Sequence, residues 1–203
     1  MFTGLVEYVG IIDKLITRSG GVFLSIEAPS GFFPVKTGES IAIDGCCLTL
    51  VESNLEKNTL SFEVIHQTIK MTHINTLKVG SKVHLERSAT LQTLLGGHLV
   101  SGHVDCTLQI QKIDNSQDNY VIKFLTLENK HFEYIVPQGS ITVCGVSLTV
   151  SNVYQDGFDI SLIPETLKRT KLGSFSVGDL VNIEFDMISK HISRLVNSRR
   201  REV

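Results

Sequence analysis

Short runs of apolar and β-branched residues alternate along this chain with clusters of Gly, Asn and Ser. LVEYVGIIDKLI (5–16), IAIDGCCLTLVES (41–53), TLSFEVI (59–65) and KVHLE (82–86) all read as strands on this pattern. LKVGSKVHLE (77–86) and FSVGDLVNIE (175–184) set a Gly between two apolar strand segments, as a tight turn or bulge requires. Helical pieces are expected around HQTIKMTHI (66–74) and PETLKRTKLG (164–173). A terminal helix is expected where Ile188, Ile192, Leu195 and Val196 recur on one face.

The pattern is written twice. ESIAIDGCCLTL (39–50) aligns with GSITVCGVSLTV (139–150), so that Ser40, Ile41, Gly45, Leu48 and Thr49 face Ser140, Ile141, Gly145, Leu148 and Thr149. FEVIHQTIKMT (62–72) returns as ISLIPETLKRT (160–170), LKVGSKVHLE as FSVGDLVNIE, and TGLVE (3–7) as SGHVD (101–105). Three blocks recur at an offset of 98 and one at 100, which two-residue changes in loop-like stretches explain. A tandem duplication follows, with its join near Gly96–His98. About six strands in each half suit a small closed barrel, which leaves no strand edge exposed. The expected fold is all-β, two similar β-barrels followed by one amphipathic helix. The units run 1–97, 98–187 and, for the helix with its basic tail, 188–203. Spacing alone favours packing of that helix on its own chain over a role in gathering chains.

Composition narrows the function classes. The chain has 203 residues, 42% hydrophobic and 20% charged, as a folded domain or pair of domains would be. A formal charge of -2 supplies no basic field for nucleic acid. Arg199, Arg200 and Arg201 form the only charge run and read as a solvated tail. The opening residues do not make a signal peptide, and no apolar stretch reaches the 18 residues of a membrane span. Cys46, Cys47, Cys106 and Cys144 have no C-x-x-C spacing, so neither disulfides nor zinc are supported and a reducing cytoplasm is expected. No nucleotide-binding glycine motif occurs, and none of the seven histidines makes an H-x-x-x-H pair, so no catalytic metal is expected.

Two copies of a barrel suggest two copies of a site, unless the duplication merely builds a larger fold. Ser40/Ser140, Cys47/Ser147 and Thr49/Thr149 are small polar groups that could meet a polar heterocycle, and Cys47 and Thr49 share strand parity, as do Ser147 and Thr149. His98 and His103 stand out in GGHLVSGHVD (96–105), where glycines permit close backbone approach to a ligand. Their spacing puts the two imidazoles on different faces of a strand, so each has its own task.

MFTGLVE, DGCCLTL, GGHLVSGHVD, GVSLTV and LIPETLKRTKLG, in that order, closely resemble the riboflavin synthases of the alpha-chain type, from Met1 to about Ile192. The resemblance implies Greek-key barrels and a dismutation of two 6,7-dimethyl-8-ribityllumazine molecules. One gives a four-carbon unit to the other, yielding riboflavin and 5-amino-6-ribitylamino-2,4(1H,3H)-pyrimidinedione, the last step of riboflavin biosynthesis. It implies no cofactor and no metal. It also implies a homotrimer gathered by the C-terminal helices, with each active site between the N-barrel of one subunit and the C-barrel of a neighbour. Lumazine synthase enters as a further partner to consider.

By matching motifs, the resemblance assigns Gly4, Leu5, Val6, Cys47, Leu48, Thr49 and the run Glu63, Val64, Ile65, His66, Gln67 and Thr68 to the N-barrel pocket. It assigns Gly102, His103, Val104, Ser147, Leu148, Thr149 and the run Ser161, Leu162, Ile163, Pro164, Glu165 and Thr166 to the C-barrel pocket. Phe2, Ser40, His98 and Asp186 fall on positions linked to the site. His103 is the leading acid/base candidate, since imidazole moves protons near neutral pH. Cys47 is a nucleophile or hydrogen-bond partner, and the Cys47/Ser147 difference suits a donor and an acceptor site. Because the substrate methyl is already acidic, holding two rings in register is expected to contribute most.

Two departures fall in the C-barrel and bear on its affinity. Gln138 stands where family members often have Lys, and Cys144 where the first copy has Asp44. The rival reading is a lumazine- or flavin-binding carrier of the same fold without catalysis.

Overall fold

The structure is a computed structural model that describes residues 1–116, 119–125 and 129–199. Strands β1 (Tyr8–Arg18), β2 (Gly21–Glu27), β3 (Ser40–Ile43), β4 (Cys46–Asn54), β5 (Thr59–Ile65) and β6 (Lys82–Arg87) close into an antiparallel barrel in the order β1-β2-β5-β4-β3-β6. Strands β7 (Cys106–Ser116), β8 (Asn119–Leu125), β9 (Ser140–Val143), β10 (Val146–Val153), β11 (Gly157–Leu162) and β12 (Leu180–Phe185) repeat that order in the second. Each fifth strand runs into one short helix, α1 (His66–Met71) or α2 (Pro164–Arg169), and the described chain ends in α3 (Met187–Arg199).

Alternation drives each closure. In β5, Leu60, Phe62 and Val64 point inward while Glu63 and Ile65 point out. Phe32, Phe62, Leu24, Ile26, Ile41 and Leu50 fill the N-barrel, and Phe124, Phe158, Ile122, Val143 and Ile160 fill the C-barrel. Each such side chain contributes about 1.5–3 kcal/mol of hydrophobic stabilisation. The bends that closure needs come from bulges at matching places: Ile12/Lys14 and Leu50/Glu52 in one barrel, Ile110/Lys112 and Val150/Asn152 in the other.

The expected strands and helices are present, with two differences. LKVG and FSVG are not strands, because each follows a short 3-10 turn (His73–Thr76, Leu172–Ser174) and only the residues after the glycine pair in the sheet. GVFLSIE (21–27) forms β2, an element absent from the named runs. Arg200 and Arg201 of the basic tail lie outside the described residues.

The barrels meet through the tips of their β3–β4 and β9–β10 hairpins. Both tips are two-residue turns with positive φ at each position: Asp44 (47°) and Gly45 (78°), Cys144 (47°) and Gly145 (80°). A Cβ on Gly45 would lie 2.6 Å from the Gly145 nitrogen, and one on Gly145 2.7 Å from the Gly45 nitrogen, so only glycine lets the two tips touch.

Around this contact lies a buried polar seam. Asp44 Oδ2 accepts from Lys171 Nζ at 2.6 Å and from His73 Nε2 at 2.9 Å, while Asp44 Oδ1 accepts from the His84 amide at 2.8 Å. His73 Nδ1 faces the Leu180 carbonyl at 3.0 Å, so both its nitrogens point at acceptors and the ring is an imidazolium. Burial opposes that charge, but the Cys144 sulfur and the Asp44 carboxylate outweigh it and hold the pKa up at about 10. His84 is the reverse. Its Nε2 accepts from the Lys171 amide at 2.8 Å and its Nδ1 faces the Cys144 carbonyl, so the ring is neutral, and burial pushes its pKa down to about 4. Asn182 closes the seam, accepting from the His73 amide and donating to the Asp44 carbonyl.

Candidate active site

The two leading motifs leave their own barrels. The Gly4 carbonyl accepts from the Ser147 amide at 2.7 Å, and the Gly102 carbonyl accepts from the Cys47 amide at 2.8 Å. Val6 packs on the C-barrel core and Val104 on the N-barrel core. Gly4, with φ of 75°, touches the Ser147 side chain, and Gly102, with φ of 81°, touches that of Cys47, both too closely for a Cβ. The contacts run opposite to the expected grouping: Gly4 and Val6 lie against the C-barrel, and Gly102 and Val104 against the N-barrel. Sequence comparison of the halves pairs each motif with its own repeat, whereas the contacts exchange them.

On the N-barrel, Ser40 and Thr49 are direct cross-strand partners, as are Ala42 and Cys47. Cys47 is half-buried, whereas Cys46 faces inward with its thiol pushed up to about 12, mainly by burial. Cys46, Cys47 and Cys144 are free thiols. Phe2 is wholly buried and packs with Ala42, Val100 and Cys47. It pairs with Val100 through two backbone hydrogen bonds. It therefore supports Cys47 from behind. Leu48, Val64 and Leu162 likewise point into barrel cores. The exposed members of the assigned runs are Glu63, Ile65, His66 and Gln67 on one barrel and Ser161, Ile163, Pro164 and Glu165 on the other; Thr68 and Thr166 are half-buried. Ile65 and Ile163 are 61% and 64% exposed, a matched pair of apolar side chains open to a flat ring.

On the C-barrel, Ser140 and Thr149 pair across the strands, and Leu148 is half-buried beside Ser147. His98 Nδ1 lies 2.8 Å from Ser147 Oγ. Burial keeps the His98 pKa below its ordinary value, with Asp186 opposing, so a neutral ring meets the hydroxyl. Asp186 also caps α3 by accepting from the Ile188 amide at 2.9 Å. His103 is exposed, and among the described residues its ring makes no hydrogen bond. It is free to meet a ligand that approaches from outside. Gln138 is exposed at φ 62°, its amide bonded to the Val150 carbonyl at the end of the same hairpin. Cys144 is buried in the seam, its sulfur 4.0 Å from His73 Nδ1, where it bears on docking of the barrels.

Comparison with known families settles the kinship. The lumazine binding domain model matches twice, over residues 3–88 and 101–186. The chain belongs to the lumazine binding domain family. Within that family it is 39% identical over 197 residues to the riboflavin synthase of Bacillus subtilis (strain 168), covering 97% of this chain and 90% of that one. It is 40% identical over 190 residues to the riboflavin synthase of Escherichia coli (strain K12), covering 92% and 87%. The crystal structure of LumP complexed with riboflavin superposes with a TM-score of 0.83 at 27% identity, covering 92% of this chain and all 100% of that one. LumP complexed with 6,7-dimethyl-8-(1'-D-ribityl) lumazine gives 0.82 at 25% identity, covering 92% and 99%.

Sequence reading of this chain missed the seam. Asp44, His73, His84 and Lys171 are distant in sequence, and Lys171 and His73 are repeat mates that differ in type. The available signal was that mismatch: 44/144, 73/171 and 84/182 are all unlike pairs in otherwise matching blocks. Ligand atoms of Asp44, His73 and Cys144 fall within 4.8 Å of one another, but Lys171 already occupies the carboxylate.

Proposed function

We propose that this chain is a riboflavin synthase. It converts two molecules of 6,7-dimethyl-8-ribityllumazine into riboflavin and 5-amino-6-ribitylamino-2,4(1H,3H)-pyrimidinedione by moving a four-carbon unit, with no cofactor or metal. The observation that carries this reading is the pair of like sites, each with a Ser/Thr cross-strand pair, an exposed Ile and a wall lent by the other half. A dismutation needs two copies of one substrate held as donor and acceptor, and the sites differ where the roles differ: Cys47 with an open His103 in one, Ser147 with His98 in the other.

The C7 methyl of the acceptor loses a proton, and the ring delocalises the charge. His103 or the neutral His98 takes that proton, and the carbanion attacks an electrophilic ring carbon of the donor. As two C–C bonds form between acceptor methyl carbons and donor ring carbons, the two C–N bonds that hold the four-carbon unit in the donor break and release the pyrimidinedione. Thr49, Thr149, Ser40 and Gln138 bind polar ring edges or the ribityl chain, and Ile65 and Ile163 support the rings.

The chain acts as a homotrimer in the cytoplasm. Both site faces are open on the single chain, and α3 turns Ile188, Ile192, Leu195 and Val196 outward, which favours assembly over the purely local packing that spacing suggested. No helix among the described residues is long and apolar enough to cross a membrane. Association with lumazine synthase, checked by co-sedimentation, would shorten the path of the substrate.

The test is incubation of purified protein with the lumazine alone. One riboflavin per two lumazines consumed supports the enzyme. Bound lumazine without riboflavin supports the carrier, the reading to which LumP lends its likeness.

A further inference from the structure

The crossing segments are held at their roots by a matched pair of buried glutamates that proton transfer does not use. Glu86, on β6, accepts on Oε1 from the Thr3 amide at 2.7 Å and the Thr3 hydroxyl at 2.9 Å. Glu184, on β12, accepts on Oε1 from the Ser101 amide and hydroxyl, both at 2.7 Å, and on Oε2 from the Gly102 amide at 3.0 Å. The hydroxyls pass the constraint on: Thr3 Oγ1 accepts from the Leu5 amide at 3.3 Å, and Ser101 Oγ from the His103 amide at 3.2 Å. Between clamp and amide the chain turns at Gly4 or Gly102, both at positive φ, and there its carbonyl reaches Ser147 or Cys47 of the opposite barrel. A carboxylate accepts on both oxygens, whereas glutamine turns a donor toward one of these groups and aspartate is a methylene short.

We propose that Glu86 and Glu184 are positioning residues that act across the duplication. Glu184, a residue of the C-barrel, sets the ligand geometry of the N-barrel site through Ser101, Gly102 and His103. Glu86, a residue of the N-barrel, sets that of the C-barrel site through Thr3, Gly4 and Leu5. The inference rests on the two-site reading above, and it inverts the simple expectation that a buried residue serves the barrel in which it lies.

The experiment uses riboflavin enriched with ¹³C at its 8-methyl group alone as the probe on the whole chain, so that each bound site gives one signal. Wild type is expected to show two bound methyl environments, assigned by loss of one in Thr49→Val and of the other in Thr149→Val. Glu184→Gln should displace the signal that Thr49→Val removes and weaken that site about tenfold, the scale of one lost hydrogen bond. It should leave the other signal in place. Glu86→Gln should do the converse. Ser101→Ala and Thr3→Val, which keep each carboxylate, carry the same expectations if a Gln variant fails to fold. Displacement of the signal of the glutamate's own barrel, equal displacement of both, or a fall in melting temperature with neither displaced overturns the proposal. A wild type with fewer than two bound environments overturns the two-site reading, and the proposal with it.

Discussion

Asparagine at position 44 would keep the shape of the seam and remove its charge. Asp44 is fully buried; burial alone would raise its pKa, but Lys171, His73 and His84 outweigh that and hold it well below the usual carboxylate range. In Asp44→Asn one face can still accept from the His84 amide, while the new NH2 turns toward Lys171 Nζ and His73 Nε2, 2.6 and 2.9 Å from the present oxygen. Two cations then share a buried site with no anion from Asp44. Breaking a buried pair in this way costs about 3–5 kcal/mol, a large part of the roughly 5–15 kcal/mol by which a domain is stable. Lys171→Met should cost less, about 2–3 kcal/mol, because His73 still faces the carboxylate and only the Lys82 carbonyl loses its 2.9 Å donor. In the double variant the asparagine meets one cation instead of two. The losses should therefore overlap by at least about 1 kcal/mol, whereas independent sites add to within about 0.5 kcal/mol. Urea denaturation of the four proteins, with the slope checked for constancy, gives the cycle. Additive losses would refute the claim that the Asp44–Lys171 contact holds the seam.

Other expectations follow from the same geometry. Gly45→Ala should destabilise by more than about 3 kcal/mol, since its Cβ would strike Gly145 backbone, while Gly80→Ala, at φ 88° with open space around it, should cost only about 1 kcal/mol; equal melting shifts would contradict the tip-to-tip contact. His84, held near 4 against an ordinary 6.5, contributes stability that is complete above pH 6.5 and lost as pH falls toward 4. His73, held near 10, contributes stability that is complete below pH 6.5 and lost as pH rises through 10. The urea midpoint should therefore peak near pH 6.5, with the acid arm absent in His84→Gln and the alkaline arm absent in His73→Gln; arms that persist in those variants refute the assignment. Cys47→Ser and His103→Gln should each lower kcat, the latter by about 10²-fold, and a double variant at full rate would exclude both from the chemistry. Leu195→Asp should yield monomers by sedimentation and abolish turnover if sites form between subunits.

Much of the fold was legible because it rests on local rules. Alternation in TLSFEVI marks a half-buried strand, and the Gly45 and Gly145 turns are written in both halves. The repeat also located Ser40, Thr49, Ser140 and Thr149, since register fixes cross-strand partners once the hairpin is known. What the residues could not disclose was which barrel each leading motif serves. TGLVE resembles SGHVD whichever barrel it lies on, and only the Ser147–Gly4 and Cys47–Gly102 hydrogen bonds reveal the exchange. The burial of Phe2 was hidden for a similar reason: its place in a motif says nothing of what it packs against. The seam was invisible because His73 and Lys171 break the repeat that made everything else readable.

The exchange of leading segments also bears on ancestry. A single ancestral barrel that used the same exchange would have borrowed that wall from a second copy of itself, as separate chains in a symmetric pair. Fusion turned a bimolecular partnership into a covalent one, and the unlike residues at 44/144, 73/171 and 84/182 then had room to diverge. From that point neither half could be shed or drift freely, since each now carries a wall of the other's pocket. The step from one gene unit to two was a ratchet.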